Sequence, residues 1–432
     1  MHSLAFSSRS GWTKALIEEI HLQQRVFCRF VRYVRLAGRT RWSREMLATF
    51  QQTMLEEALR KAARFVPFHR KRQPADVENI CRWPLTTRRE LQNADVADLL
   101  DQRVASNDCS VYKTSGSTGE PVCVYYTAAD LRLRWLYFVR MFRTYGLPFL
   151  CRIVEIGQYK HSRTYVPGQR WTADQRSFVS VREPVDARLD LIAQIAPHAI
   201  IGYTSDLAEM ATRCFMRGIV FPSLRVVIGV GELMDVAKRE AIRSGWGISP
   251  YDSYGAVEAG NIAFECPSRS GTYHLHADHL FVEVLRPDGS VASEGEIGEV
   301  AVTSLAYHAM PLIRYQLGDL AAVGPPCSCG SPLPTLQRLY GRSDDVITLT
   351  SGRRLTPLAV NRAFCGSGLR RYRLRQSAPG HFNLELDGDA NAALGASRAF
   401  REILDPEDEL EVTRVTLPSG QIKERVVLVE AS

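Results

Sequence analysis

The chain has 432 residues, 45% apolar and 23% charged, with a formal net charge of +7 and a pI near 8.9. These fractions sit near the globular average and exclude wholesale disorder, collagen and coiled coil. The length suggests two or three folding units, one of them large enough for a substantial core. No apolar run approaches the roughly 18–20 residues that span a bilayer, so no membrane partner is expected. The Lys and Arg excess is spread along the chain rather than concentrated, which argues against a nucleic-acid partner. Ten cysteines are too sparse for a disulfide scaffold, and a reducing cytoplasm is the expected location. The opening residues, MHSLAFSSRSGW, hold no apolar stretch of signal-peptide type, and Glu18 and Glu19 argue against a transit peptide.

In chain order, residues 10–66 read as helical, with Leu47, Phe50, Met54, Leu55 and Leu59 at helical spacing. Pro67 ends that stretch, and His69–Arg72 reads as a solvated basic helix end. From residue 109, short apolar segments alternate with helical ones. Val122–Tyr126, Cys151–Ile156, Ala199–Tyr203 and Leu224–Val230 read as strands. Ala128–Tyr145, Leu207–Arg217 and Val236–Ser244 read as helices. That rhythm predicts an α/β body with at least one largely parallel sheet. Residues 280–305 read instead as an antiparallel hairpin turning at Pro287-Asp288-Gly289, so the body is mixed. Beyond about residue 345, strands at Val346–Leu349, Tyr372–Leu374, Phe382–Leu386, Glu409–Thr416 and Arg425–Val429, with a helix at Ala392–Ile403, predict a small α+β unit.

The sharpest motif is Thr114-Ser115-Gly116-Ser117-Thr118-Gly119-Glu120-Pro121, just before a strand. Its glycines let the backbone approach a ligand closely, and its hydroxyls and successive N–H groups suit polyphosphate oxygens. The Walker spacing is absent.

This loop resembles the phosphate-binding loop of the adenylate-forming superfamily. More narrowly, the chain resembles the phenylacetate–CoA ligase-like branch that includes CapK-type proteins. Further motifs follow in that family's order: Gly202-Tyr203-Thr204-Ser205, Gly231-Glu232-Leu233, Ser253-Tyr254-Gly255-Ala256-Val257-Glu258, Gly295–Leu305, Pro311–Asp319 and Gly341-Arg342-Ser343-Asp344-Asp345. The resemblance implies a large mixed α/β N-terminal domain over residues 1–343, with a helical lead-in to about residue 75. It also implies a small mobile α+β C-terminal domain over 344–432, hinged near Asp344 and Asp345. The implied activity is ATP-dependent activation of a small carboxylic acid to an acyl-adenylate. The acyl group then passes to CoA or to the phosphopantetheine of a carrier protein. An amine or hydroxyl acceptor is the alternative, as is a catalytically silent binder; a homodimer is compatible with either.

Residue by residue, the resemblance implies that Ser115, Gly116, Ser117, Thr118 and Gly119 hold the phosphates and that Glu258 ligates Mg²⁺. Gly231 and Glu232 would border the adenine, and Tyr254, beside Gly255, would stack on it. Asp319 would accept the ribose hydroxyls, with Arg342 on the same sugar. One position departs from the family pattern. The final motif reads Ser419-Gly420-Gln421-Ile422-Lys423, with Gln421 where a Lys is expected to reach the α-phosphate. Lys423, two residues on, would share a strand face with 421 and is the expected substitute. Arg370, Arg371, Arg373 and Arg375 could meet acceptor phosphates or form an ordinary charged strand face.

A structural Zn²⁺ is expected from the tight Cys327-Ser328-Cys329-Gly330 turn together with Cys266 and His274, with His276 as the alternate. Thiolate and imidazole are the usual ligands of a closed tetrahedral zinc site.

Overall fold

The computed structural model describes residues 36, 38–114, 121–148, 151–157, 175–369, 371–417 and 427–429. Within the expected N-terminal helical region, helix α1 (Arg44–Phe65) starts at Ser43, whose hydroxyl accepts from the Met46 amide at 3.2 Å. Its apolar stripe, with Leu55, Leu59 and Ala62 buried, packs against Trp83 and Ile313. Residues 10–35 of the expected helix lie outside the described residues. Within the His69–Arg72 cluster, Arg70 and Lys71 are exposed as a solvated helix end would be, while His69 is buried and Arg72 half-buried. The His69 ring bonds the Pro311 carbonyl, Lys71 pairs with Asp98, and Arg72 donates to the Leu85 carbonyl.

Strands β1 (Cys109–Lys113) and β2 (Cys123–Thr127) form an antiparallel hairpin of their own. Helix α2 (Ala128–Thr144) follows directly, with Thr127 and Asp130 closing a capping box. Asp130 is fully buried and does more than cap. Its two oxygens also accept from the amides of His308 at 2.9 Å and Ala309 at 3.3 Å, knotting the hairpin–helix junction to a loop 178 residues away.

The main sheet has eleven strands. Five run parallel: β3 (Arg152–Gly157), β4 (Gln175–Ser180), β5 (Ala199–Tyr203), β6 (Val226–Val230) and β7 (Tyr251–Ala256). They are joined through helices α3 (Val185–Ile195), α4 (Thr204–Arg217) and α5 (Val236–Trp246). The other six are antiparallel: β8 (Gly260–Cys266), β9 (Arg269–Leu275), β10 (Leu280–Leu285), β11 (Ile297–Ser304), β12 (Tyr315–Gly324) and β13 (Thr335–Arg342). The spatial order is β10-β11-β12-β13-β9-β8-β7-β6-β5-β3-β4. The sheet therefore changes from parallel to antiparallel at β7, and the crevice beyond the carboxyl end of β7 is the natural ligand position.

After Asp345, strands β14 (Ile347–Thr348) and β15 (Arg354–Leu355) pair and helix α6 (Pro357–Ala363) follows. A separate four-stranded sheet then forms from β16 (Arg371–Ala378), β17 (His381–Asp387), β18 (Glu409–Arg414) and β19 (Val427–Val429), with helix α7 (Ala390–Arg401) between β17 and β18. It has its own core around Leu374, Leu384 and Phe400. The expected strand at 346–349 shrinks to two residues and joins the small β14–β15 ladder, not this sheet. Among the described residues no helix is long and apolar enough to cross a membrane.

One buried ring gives the fold an acid sensitivity. His279 stacks on Tyr137 with ring centroids 4.4 Å apart and is 1% exposed. Burial pushes its imidazole down to about 3 from an ordinary value of 6.5. The unfolded chain therefore binds a proton below pH 6.5 that the folded chain refuses, and stability falls as pH drops from 6.5 toward 3. His279→Phe should shrink the stability difference between pH 8 and pH 5 by about 2 kcal/mol. Urea unfolding at the two pH values checks this; an unchanged difference would refute it.

Candidate active site and metal centre

The expected phosphate loop, Ser115–Glu120, lies outside the described residues, but its anchors do not. The Thr114 amide donates to the Val122 carbonyl at 3.0 Å, and the Thr114 hydroxyl accepts from the Val122 amide at 2.9 Å. Arg88 donates to the same hydroxyl at 2.9 Å. The two ends of the loop are thus closed on each other at the mouth of the β1–β2 hairpin.

Across the crevice, Tyr254 and Gly255 stand near the end of β7. A Cβ on Gly255 would meet the Gly260 carbonyl oxygen at 2.7 Å, so the tight β7–β8 turn requires glycine there. Tyr126 fixes that turn by donating to the Val257 and Glu258 carbonyls at 2.7 and 2.6 Å. Glu258 is 7% exposed. Its Oε1 accepts from the Tyr315 hydroxyl at 3.1 Å, and its Oε2 accepts no bond from a described residue.

Strands β9 and β13 share only two residue pairs, Thr335–His274 and Leu336–Tyr273, so the far ends of β12 and β13 can bend over β7. There Asp319 faces Arg342 across the β12–β13 ladder. Arg342 donates to Asp319 Oδ1 at 3.1 Å and to the Leu317 carbonyl at 2.7 Å. The Tyr254 hydroxyl donates to Asp319 Oδ2 at 2.9 Å. Burial and the neighbouring Asp319 hold the Tyr254 phenol well above its ordinary value, so it stays a donor. Burial works against the Arg342 charge, but Asp319 outweighs it and raises that group. A carboxylate has about four lone-pair sites. Two are taken here, and two remain for a diol.

The structure thus brings together Tyr254, Gly255, Glu258, Asp319 and Arg342 and adds Tyr315 to them. Tyr315 lies inside the Pro311–Asp319 motif, and its side-chain contact with Glu258 is visible only in three dimensions. Glu232, expected with Gly231 beside the adenine, stands at the start of α4. Its Oε2 accepts from the Ser205 amide at 2.8 Å and the Thr204 hydroxyl at 3.1 Å, capping α4, while Gly231 beside it has φ +75°. Ile228 on β6 is fully buried in a cluster with Met141, Phe142 and Phe264. Gln421 and Lys423 lie outside the described residues.

The four expected zinc ligands come together in the fold. Cys266 ends β8, His274 lies on β9, and Cys327 and Cys329 sit on the β12–β13 connection. The four ligand atoms lie within 4.8 Å of one another. The Cys266 and Cys327 Sγ atoms are 3.7 Å apart, and Cys329 Sγ is 3.4 Å from His274 Nε2. Zinc bonds of about 2.3 Å to sulfur and 2.0–2.1 Å to nitrogen give tetrahedron edges of about 3.5–3.8 Å, so the donor set fits that ion. Burial pushes the Cys266 thiol up to about 12. Burial also raises Cys327, but the Cys329 amide and the neighbouring thiols overcome it and lower that group. Burial lowers the His274 imidazole below its ordinary value, which favours the neutral form that metal ligation needs. His276 is excluded as the alternate: β9 ends at Leu275, and the His276 Nδ1 atom lies 3.4 Å from an Arg140 nitrogen in the Arg140–Asp278 core pair.

No family model matches the sequence. A phenylacetate–coenzyme A ligase of Aromatoleum evansii is 26% identical over 376 residues, covering 81% of this chain and 84% of that protein. The Escherichia coli K12 enzyme of the same name is 26% identical over 337 residues, 70% and 72% of the two chains. A crystal structure of 2-hydroxyisobutyryl-CoA ligase in the postadenylation state superposes with TM-score 0.75 at 19% identity, covering 88% of this chain and 89% of that one. The chain has the adenylate-forming CoA-ligase fold. The same 2-hydroxyisobutyryl-CoA ligase with CoA in the thioesterification state gives TM-score 0.62, and an anthranilate CoA ligase gives 0.55 at 14% identity. In this ligase fold the change from parallel to antiparallel strands, the Tyr254–Asp319–Arg342 set and Glu258 all stand at one crevice.

Proposed function

We propose that the chain is an ATP-dependent carboxylate–CoA ligase of the phenylacetate–CoA ligase-like type. The observation that carries this is the joining of Asp319, Arg342 and Tyr254 with Glu258 beside the closed ends of a Gly/Ser/Thr loop. A diol acceptor, a hard-oxygen cation ligand and a phosphate loop are the parts an ATP site needs. The matched relatives support the CoA-ligase side of the resemblance over the CapK-type side.

In this reading Asp319 accepts the ribose hydroxyls and Tyr254 packs along the adenine. Residues 115–119 hold the β- and γ-phosphates. Glu258 would hold Mg²⁺, which when bound neutralises charge developing on the polyphosphate. A carboxylate oxygen of the acid attacks the α-phosphorus and the bond to the β-phosphate oxygen breaks, releasing pyrophosphate. A thiolate of CoA then attacks the acyl carbon and AMP leaves. Cys266, His274, Cys327 and Cys329 hold a structural zinc with all four positions filled by protein. The chain divides near residues 343–344, with the part that follows, which carries the β14–β15 ladder and the four-stranded sheet, as the smaller unit.

The test is pyrophosphate release from Mg·ATP against aryl, short-chain and hydroxy acids, with and without CoA. Acid-dependent release with acyl-CoA product supports the reading. Acid-dependent release that needs an amine, an alcohol or a carrier instead moves the acceptor, and no release with any acid removes the ligase assignment.

The uncharged Gln421 gives a second test. Gln421→Lys places a charge-assisted donor where the resemblance expects one to meet the α-phosphate. Acid-dependent pyrophosphate release should rise about 10-fold; no rise, or a fall, would show that Lys423 or another cation already does this work.

A further inference from the structure

Most of the inward-facing arginines in the body of the protein have a carboxylate. Arg140 has Asp278, Arg188 has Asp206, Arg314 has Glu283 and Arg342 has Asp319. Arg134 does not. It stands on α2, one turn after Asp130, partly buried against the turn that carries Glu258. One Nη1 hydrogen goes to the Val257 carbonyl at 3.0 Å. The guanidinium carbon lies 4.5 Å from the Tyr126 ring centroid and 5.7 Å from that of Tyr112. A Cβ on Gly260 would come within 3.3 Å of its Nε. Among the described residues no carboxylate lies within ion-pair distance of it.

A guanidinium offers five N–H donors in a fixed fork, and here one is spent on a carbonyl. Aromatic faces attract the charge only weakly, and a partly buried charge without a counter-ion is unfavourable. Glu258 is the acid whose field reaches Arg134. Its Oε1 already takes the Tyr315 hydroxyl, and under the ligase reading its charge serves a cation. When the site is loaded, Arg134 is the cation that still needs an anion.

We infer that Arg134 binds an anionic oxygen of the substrates at the reaction centre. This rests on the ligase reading of the site. Two substrates bring such an oxygen: the acid, through its carboxylate, and ATP, through its α-phosphate. The planar fork suits either, because both present two oxygens to paired N–H groups. The same role explains why the Arg134 side chain is held over the Tyr126 ring and by the Val257 carbonyl rather than neutralised by a carboxylate.

The test uses the full chain and its Arg134→Met and Arg134→Lys variants. One arm measures KM for the acid that supports pyrophosphate release. The other needs no turnover and compares the affinities of AMP and adenosine by calorimetry. Loss of a charged hydrogen bond corresponds to about a 10- to 100-fold change. Arg134→Met should raise KM for the acid by that factor if the acid is the source, or remove it from the preference for AMP over adenosine if the phosphate is. Arg134→Lys should keep part of either effect. If Arg134→Met moves neither by more than twofold, or if both variants lower kcat and melting temperature alike with KM and AMP preference intact, Arg134 is a packing clamp and the inference fails. If wild-type protein releases no pyrophosphate with any acid, yet Arg134→Met still abolishes the AMP preference, the ligase reading fails while the anion contact stands.

Discussion

Glu258→Gln should lower acid-dependent pyrophosphate release about 100- to 1,000-fold, the usual scale for removing one group that stabilises developing charge. The replacement keeps the size of the side chain and can still accept from Tyr315, so the β7–β8 turn, held by Tyr126 through backbone carbonyls, keeps its shape. What disappears is the negative charge that makes this group a ligand for a hard divalent cation. The loss should therefore fall on kcat at saturating ATP, with melting temperature within a few degrees of wild type. Glu258→Asp, which keeps the charge on a shorter arm, should recover part of the rate as Mg²⁺ is raised. A Glu258→Gln protein that turns over within threefold of wild type would remove Glu258 from the reaction.

Cys327→Ser should reduce zinc from about one ion per chain to near zero and lower the melting temperature by about 10 °C or more. Structural zinc contributes its binding energy directly to folding, and three of its ligands would remain without it. The damage should not stay local. Cys327 and Cys329 sit on the connection between β12 and β13, whose far ends present Asp319 and Arg342 to the crevice. Nucleotide affinity should thus fall along with stability. Metal analysis of the purified wild-type protein is the companion measurement and does not depend on the variant folding. Absence of stoichiometric zinc from reduced protein would refute the assignment.

Much of this architecture was legible in the chain because two periodicities are clear. Strands at 199–203 and 226–230 carry continuous apolar runs, as parallel strands covered on both faces do, and the helices between them have apolar stripes. The hairpin at 280–304 announces itself through Pro287-Asp288-Gly289. Strand β8 was harder to see: all seven of its residues are buried, Asn261 and Glu265 among them, so no alternation marks it. Glu265 is tolerable there only because Arg239 and the Asp252 and Gly271 amides converge on it from other segments.

Motif order singled out Tyr254, Glu258, Asp319 and Arg342, which the fold brings to one crevice, but it gave no sign that the Glu232 carboxylate also accepts from the start of α4. Nor could it find Arg134. Along the sequence, Arg132 and Arg134 are two similar charges on one helix; only packing against Tyr126 and residue 257 separates them.

Under the ligase reading, the knot at Asp130 bears on how a nucleotide would be chosen. One carboxyl receives four donors, two from the start of α2 and two from the loop at residues 308–309. The first pair lies directly after the hairpin that carries the phosphate loop, and the second leads into the segment that ends at Asp319. In the ligase reading, the segments expected at the phosphate end and the sugar end of a nucleotide are therefore joined through Asp130. Under the ligase reading, a nucleotide would then be measured against the span between two segments that one carboxyl ties together.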